Sequence, residues 1–371
     1  MSIIINKESI KKEMKILHII PNLQTGGAEK LLVELLPELT KLGNDVDLLC
    51  ISGEITPLYK AIKQQGIRIF SLCEASTNYY SPIHIVRLCC FLRKHKYDVI
   101  HSHGTPSQII SSVASLFFKT KFFTTEHSTA NRRREWKWAR PIDCWMYNRF
   151  KKVICISDKA EENLHTYLAD KCDKLCTIYN GVDLIKYTTA SPVWEIMDKY
   201  GKFNKAIMVA SFTDPKDQPT IIKAYSMLPD TYHLFFAGVG PHETECKDLA
   251  VTLGIEKRVH FLGMRMDVPS LLKSMDEVIM SSHFEGLSLS SIEGMSSGKP
   301  FIASDVDGLH EIVAGNGLLF PHEDAKALAG LIMQMAIDVD ARNRVVDACQ
   351  NKASQYDIKV MAEKYNNLYK L

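Results

Sequence analysis

The sequence predicts an α/β protein built from two Rossmann-like domains that face each other across a cleft. Three observations predict it. Short apolar runs alternate with longer helical patterns along the chain. Most of these runs are continuous rather than alternating, which suits strands buried on both faces of a parallel sheet. The 371 residues make about two domains of ordinary size.

The first series of strand candidates is 15–20, 46–51, 67–72, 99–102, 122–126, 153–157 and 176–179. Helical stretches lie between them. One is 29–42, with Leu31, Leu32, Leu35, Leu36 and Leu39 on one face. The pattern pauses over 183–204, which carry a proline and no strand period. A second series follows at 206–212, 233–237, 259–262, 277–281, 301–304 and 318–320. Strand, helix, strand in this rhythm is a doubly wound sheet, here two of them with a boundary near 187–204.

Composition narrows the class. Hydrophobic residues at 46% and charged residues at 24% are those of a globular chain, not a disordered one. Lys and Arg number 45 and Asp and Glu 43, a formal charge of +2, which argues against a dedicated nucleic-acid binder. The ten cysteines form no Cys-x2-Cys pair and read as free thiols in a reducing compartment. Neither apolar run at the N-terminus has the length of a signal-peptide core, and no run approaches the ~18 residues of a spanning helix. A cytoplasmic protein is expected.

In open α/β sheets ligands sit beyond the carboxyl ends of the strands, so the loops there carry the chemistry. The first loop, Pro21 to Lys30, holds Gly26 and Gly27. Paired glycines let the backbone approach a ligand, and the helix behind offers N–H groups to an anion; a plain tight turn is the other reading. The spacing is not that of a dinucleotide fold, and no acidic residue ends the second strand. His101, His103 and His127 stand at strand ends, where an imidazole titrates near neutral pH and donates hydrogen bonds. A lone histidine is more often structural; among these, His127 is the strongest candidate.

The richest stretch runs from His283 to Met295. It opens a helix whose N–H groups from Leu287 to Ser290 suit a diphosphate. Glu285 and Glu293 flank it. A retaining glycosidase pair needs about 5–5.5 Å between carboxylates. Eight residues of helix rise about 12 Å, so separate jobs are expected. Lys216 follows the first strand of the second series and suits a phosphate as a point charge, a solvated surface lysine being the alternative. Gly238-Val239-Gly240 is a second place for close backbone approach.

These residues together resemble the retaining nucleotide-sugar glycosyltransferases of family 4, which have the GT-B fold. The resemblance runs from about residue 14 to the end. Its most specific part is Glu285-x7-Glu293, followed by Gly298-Lys299-Pro300 and Gly308-Leu309-His310-Glu311. Gly26-Gly27-Ala28-Glu29, Thr125-Glu126-His127, Ile156-Ser157, Asn180-Gly181-Val182-Asp183 and Gly238-Val239-Gly240 support it. The resemblance implies an acceptor-binding domain at 14–190 after an extension at 1–13, a nucleotide-sugar domain at 191–355, and a crossover helix at 356–371. It implies that Glu293 binds the ribose, Glu285 contacts the donor sugar, and the backbone of Leu287, Ser288, Leu289 and Ser290 holds the diphosphate. Lys216 would neutralise the leaving group, Gly240 would sit at the donor, Gly26 and Gly27 would approach its phosphates, and His127 would touch the sugar near the reaction centre.

One departure stands out. Many relatives carry arginine where this chain has Ser211. Losing that charge-assisted contact costs transition-state stabilisation; either another cation such as Arg265 compensates, the preferred reading, or turnover is slow. No metal or other cofactor is expected. The Asp45-Val46-Asp47 triplet lies at a strand start and Asp305-Val306-Asp307 in a strand-end turn.

The stretch 131–152 holds eight basic and two acidic residues and three of the four tryptophans. Three readings are open. It is a helix whose tryptophans pack inward, or a surface for an anionic membrane leaflet or the acceptor, through Arg132, Arg133, Arg134, Trp136 and Trp138, or, least favoured, a site for single-stranded nucleic acid. Nucleic acid is not an expected partner. The expected activity is transfer of a hexose or N-acetylhexosamine, with UDP the favoured nucleotide, to a glycan or lipid-linked glycan in cell-surface polysaccharide synthesis. The rivals are a nucleotide-sugar epimerase of the same fold and an inactive binding or scaffold protein.

Overall fold

The computed structural model describes residues 13–24, 26–74, 77–127, 132–136, 138–169, 171–286 and 288–371. The chain forms two units, Met1–Asn180 with Ile358–Leu371, and Gly181–Asp357.

The sheet of unit 1 contains β1 (Lys15–Ile20), β2 (Asp45–Ser52), β3 (Arg68–Cys73), β4 (Val99–His103), β5 (Lys121–Glu126), β6 (Lys152–Cys155) and β7 (Leu175–Thr177). All neighbours pair in parallel, in the order β3-β2-β1-β4-β5-β6-β7. The strands form because their apolar runs are covered on both faces: Ile16, Leu17, Ile19 and Ile20 of β1 are all buried. Helix Gly27–Lys41 lays its five leucines inward, as their spacing predicts. The closing helix Ile358–Lys370 belongs to unit 1, with Tyr365 and Tyr369 buried and Asn366 accepting from Asn44 Nδ2 at 3.1 Å.

The sheet of unit 2 contains β8 (Asn204–Val209), β9 (Tyr232–Ala237), β10 (Val259–Phe261), β11 (Glu277–Met280), β12 (Phe301–Asp305) and β13 (Leu318–Pro321). Their order is β10-β9-β8-β11-β12-β13, again all parallel. Each sheet reverses its winding once, between β1 and β4 in unit 1 and between β8 and β11 in unit 2. These are the switch points at which open α/β sheets bind ligands.

Every expected strand is present, β1 with the expected ends and the others with one or both ends shifted. Ser157, expected in a strand, caps the next helix by accepting from the Ala160 N–H at 3.2 Å. Residues 210–212, expected to extend β8, form its exit loop. Asp45 and Asp47 are structural: both hold Arg68, and Tyr97 donates to Asp47 at 2.7 Å. All ten cysteines are free thiols. No helix among the described residues is long and apolar enough to cross a membrane.

Candidate active site

At the switch point of unit 2, the loops after β8 and β11 are tied together. The Asp217 N–H donates to the Ser281 carbonyl, and Ser281 Oγ donates to Asp217 Oδ2 at 2.9 Å. The His283 N–H donates to the Pro215 carbonyl at 2.9 Å. Ser304, at the end of β12, accepts from the Ser282 N–H and donates to its carbonyl, both at 3.0 Å. This stitching brings Lys216 Nζ against Glu285 Oε1, which also accepts from Ser282 Oγ at 2.8 Å. Burial pulls the Lys216 ammonium down to about 8, with the Glu285 carboxylate lying against it.

Two glycines make this packing possible. A Cβ on Gly308 would lie 2.2 Å from the Glu285 carbonyl oxygen, and its φ of +86° suits glycine alone. A Cβ on Gly240 would lie 2.2 Å from the Phe212 carbonyl oxygen. Helix Leu289–Ser296 begins just beyond, with Ser288 at its N-cap. The N–H groups of Leu289 and Ser290 are in its first turn, where helical N–H groups lack intrahelical partners. Glu293 is buried within the helix.

At the switch point of unit 1 the groups are imidazoles. His18 of β1 pairs in register with His101 of β4. His18, His101 and His103 are fully buried, and His127, just past β5, is half-buried. His101 bonds Tyr369 OH at 2.6 Å and Thr125 Oγ1 at 2.8 Å, and Thr125 Oγ1 meets Tyr365 OH at 2.9 Å. Burial lowers His18 to about 3 and His127 to about 4, and carries His101 and His103 well below the usual range. The expectation of histidines titrating near neutral pH is therefore corrected: these rings stay uncharged.

The comparisons with known proteins follow this geometry. The model of Glycosyltransferase Family 4 matches residues 25–186, and that of Glycosyl transferases group 1 matches 194–352. The chain belongs to the family 4 glycosyltransferases. This glycosyltransferase is 23% identical, over 98% of both chains, to the UDP-Gal:alpha-D-GlcNAc-diphosphoundecaprenol alpha-1,3-galactosyltransferase of Escherichia coli. It is 26% identical, over 54% of this chain and 55% of the other, to the N,N'-diacetylbacillosaminyl-diphospho-undecaprenol alpha-1,3-N-acetylgalactosaminyltransferase of Campylobacter jejuni. HepE of Anabaena, crystallised with UDP-glucose, shares its fold with a TM-score of 0.82 at 21% identity, over 97% of this chain and 100% of that one.

The expected residues of the glycosyltransferase fall into two groups. Lys216, Glu285, Gly240, Ser288, Leu289, Ser290 and Glu293 lie in unit 2, on or beside the loops after β8, β9 and β11. Leu287 lies outside the described residues. His127, Gly26 and Gly27 lie in unit 1. Glu29 folds its carboxylate against Gly26, whereas a Cβ on Gly27 would meet nothing within 4 Å. Arg265 is held by Asp267 at 2.7 Å, and Ser211 Oγ meets Thr213 Oγ1 at 3.1 Å. The expected compensation by Arg265 thus has a competing carboxylate.

The basic stretch lies wholly in unit 1 and divides between inward and exposed side chains. Arg133 pairs with buried Asp143 at 3.1 Å and Arg134 with Glu126 at 3.5 Å, so both turn into unit 1. Arg132 opens the short helical turn Arg132–Glu135. Trp136 and Trp138 are exposed and stack on each other at 5.4 Å. Trp145 is also exposed, so these three tryptophans do not pack inward.

Two described groups bring three metal-type ligand atoms within 4.8 Å: His18, His101 and His103, and the exposed His283, His322 and Glu323. In the first, both nitrogens of His101 and of His103 already have hydrogen-bond partners. A cavity of about 820 Å³, lined in part by Tyr97, Lys119, Lys121 and Tyr369, lies at the opposite end of the unit 1 sheet.

Sequence reasoning missed His18, Asp217, Ser282 and Ser304. Ser282 and Ser304 stand at strand ends, and that position was the available signal; Asp217 is the N-cap of helix Gln218–Ser226, and His18 is the one polar residue between buried apolar residues of β1.

Proposed function

We propose that this glycosyltransferase moves a hexose or N-acetylhexosamine from a UDP-linked donor to a lipid-linked glycan, with retention at the anomeric carbon. The observation that carries the reading is the Lys216–Glu285 pair at the switch point of unit 2, beside the start of helix Leu289–Ser296. A diphosphate arriving there takes the ammonium from Glu285 and receives the helix N–H groups. Glu285 is then released toward the sugar, and Glu293 serves the ribose. Gly240 lets the backbone approach the donor, a role the family resemblance also gives to Gly26 and Gly27. His127 contacts the sugar.

In the reaction the bond from C1 to the diphosphate oxygen breaks as the acceptor oxygen bonds C1 on the same face. The acceptor proton passes to the leaving diphosphate. Lys216 and the helix N–H groups meet the charge that develops there. The scheme needs no metal. The names of the Escherichia coli and Campylobacter relatives, both acting on diphosphoundecaprenol-linked sugars, support the acceptor class, and the first supports UDP.

Membrane contact belongs to the same reading. Trp138, Ile142 and Trp145 are exposed at helical spacing, with Trp136 beside them and exposed Arg149 and Lys151 nearby. Aromatic side chains flanked by cations suit the anionic inner leaflet of a cell membrane, approached from the cytoplasm. Co-sedimentation with anionic but not neutral vesicles, weakened by Trp138→Ala with Trp145→Ala, is the expected result.

The deciding experiment is a thermal-shift screen against UDP, GDP and ADP and their sugar conjugates with EDTA present. At a hundred times its Kd a ligand adds about 2.7 kcal/mol to stability. A UDP shift lost in Glu293→Ala, with UDP release from the sugar conjugate, supports the reading. Absence of both favours an inactive scaffold, the reading to which Ser211 and the engaged Arg265 point. A requirement for added divalent metal overturns the metal-free scheme.

A further inference from the structure

The histidines at the switch point of unit 1 form a chain with a direction. His18 Nδ1 lies 2.9 Å from His103 Nε2, and His103 Nδ1 lies 2.9 Å from His127 Nε2. A neutral imidazole carries one N–H and one lone pair. Each link needs one donor and one acceptor, so the tautomer of each ring dictates the next. Burial disfavours the charged form of all three rings, which keeps this rule in force.

Two arrangements satisfy both links. Either all three rings carry the proton on Nδ1, or all three carry it on Nε2. The far end decides between them. His18 Nε2 is buried and has no partner among the described residues. The second arrangement would leave an N–H there with no acceptor; the first leaves only a lone pair. A buried N–H without an acceptor is the rarer condition. His101 stacks on His18 and His103 but stays outside the chain, because Tyr369 and Thr125 take both its nitrogens.

We propose that His18 and His103 are positioning residues that hold His127 in its Nδ1–H form, so that it offers a hydrogen-bond donor to a sugar oxygen and does not act as a base. The proposal rests on the reading of His127 as the residue that meets the donor sugar. His127 Nδ1 is the ring nitrogen outside the chain and has no hydrogen-bond partner among the described residues. With a proton already on it, His127 cannot take the acceptor's proton there. That proton goes instead to the leaving diphosphate, as same-face transfer requires.

The test is long-range proton–nitrogen NMR of the intact chain labelled with 15N-histidine. The expected spectrum shows Nδ1 protonated and Nε2 bare at His18, His103 and His127, against the Nε2–H form that free histidine favours in water. An Nε2–H signal at His127 overturns the proposal, as does one equivalent of zinc in the purified protein. The second arm is His103→Leu, assayed by UDP release from UDP-galactose, UDP-glucose and their N-acetylamino analogues. Loss of the orienting bond should lower kcat about tenfold with KM nearly unchanged. The thermal shift given by UDP should stay as in the wild type. Unchanged kcat in a folded His103→Leu protein overturns the positioning role; if that variant fails to fold, the wild-type spectrum still decides the tautomer. His127→Ala separates the two layers: unchanged turnover there sinks the sugar-contact reading, whatever the spectrum shows.

Discussion

Between β1 and β4 of unit 1 the ionisable groups are imidazoles held uncharged; between β8 and β11 of unit 2 they are an ammonium and a carboxylate held against each other. Both sets stand at the switch point of a parallel sheet. Burial is complete for His18, His101 and His103 and partial for Lys216 and Glu285. The difference follows from what each set can afford. A fully buried ring sheds its charge and keeps a fixed N–H pattern. A partly buried pair keeps both charges by mutual contact and can exchange one partner for a ligand. Unit 1 is thus built for orientation and unit 2 for charge.

The largest test removes the charge. Lys216→Ala should lower kcat for UDP release about a thousandfold, some 4 kcal/mol, the upper range for one electrostatic contact to a leaving group. It also leaves Glu285 without its cation, so a melting curve belongs beside the kinetics. A loss below about tenfold would show that the helix N–H groups carry the leaving group without Lys216.

The second test keeps the charges and moves them. Gly308→Ala pushes a Cβ into the Glu285 carbonyl and places alanine at positive φ. Displacement of Glu285 should cost about a hundredfold in kcat, since a misplacement near 1 Å has that effect. The counterpart in unit 1, His103→Leu, is expected to cost less, because it alters an orientation and not a charge.

Most of the fold was legible because buried parallel strands are written as continuous apolar runs. Lys216 and Glu285 were legible as polar residues in the loops that follow buried strands, and Glu293 by its spacing from Glu285 in the helix that opens there. What stayed hidden depends on partners far away in sequence. Arg133 and Arg134 read as solvated charges until Asp143 and Glu126 are seen beneath them. His18 reads as one polar residue in an apolar strand, and only the β1–β4 register sets it beside His101. Ser282 and Ser304 gain meaning from a bond between neighbouring strands that spacing along the chain does not express.

The third test is pH. His18 binds its proton near pH 6.5 when unfolded and only near about 3 when folded. Between those values the unfolded chain holds more protons, so stability falls as pH drops below 6.5. By pH 5.5 His18 alone costs about 1.4 kcal/mol. Buried Glu277 in unit 2 acts in the opposite direction. Burial raises it from 4.5 to about 8, so its contribution is lost as pH rises through that window. Melting from pH 5 to 8 should show His18→Leu removing part of the rise in stability up to pH 6.5, and Glu277→Gln removing a loss that runs from pH 5 to about 8. If either variant changed the slope with the opposite sign, the assignment of charge state to unit would be wrong.

The smallest effect on stability is expected at Gly27, and it asks whether the division between units is complete. A Cβ there meets nothing within 4 Å, and the residue opens helix Gly27–Lys41 without a positive φ. Gly27→Ala should leave stability within about 0.5 kcal/mol. Its kinetics are the informative part. If the backbone at Gly26 and Gly27 approaches the donor phosphates, the added methyl group raises KM for the UDP-sugar while kcat holds, the pattern of lost uniform binding. An unchanged KM would reduce the paired glycines to a helix start and leave the donor phosphates to unit 2, where Lys216 and the N–H groups of Leu289 and Ser290 suffice to hold them.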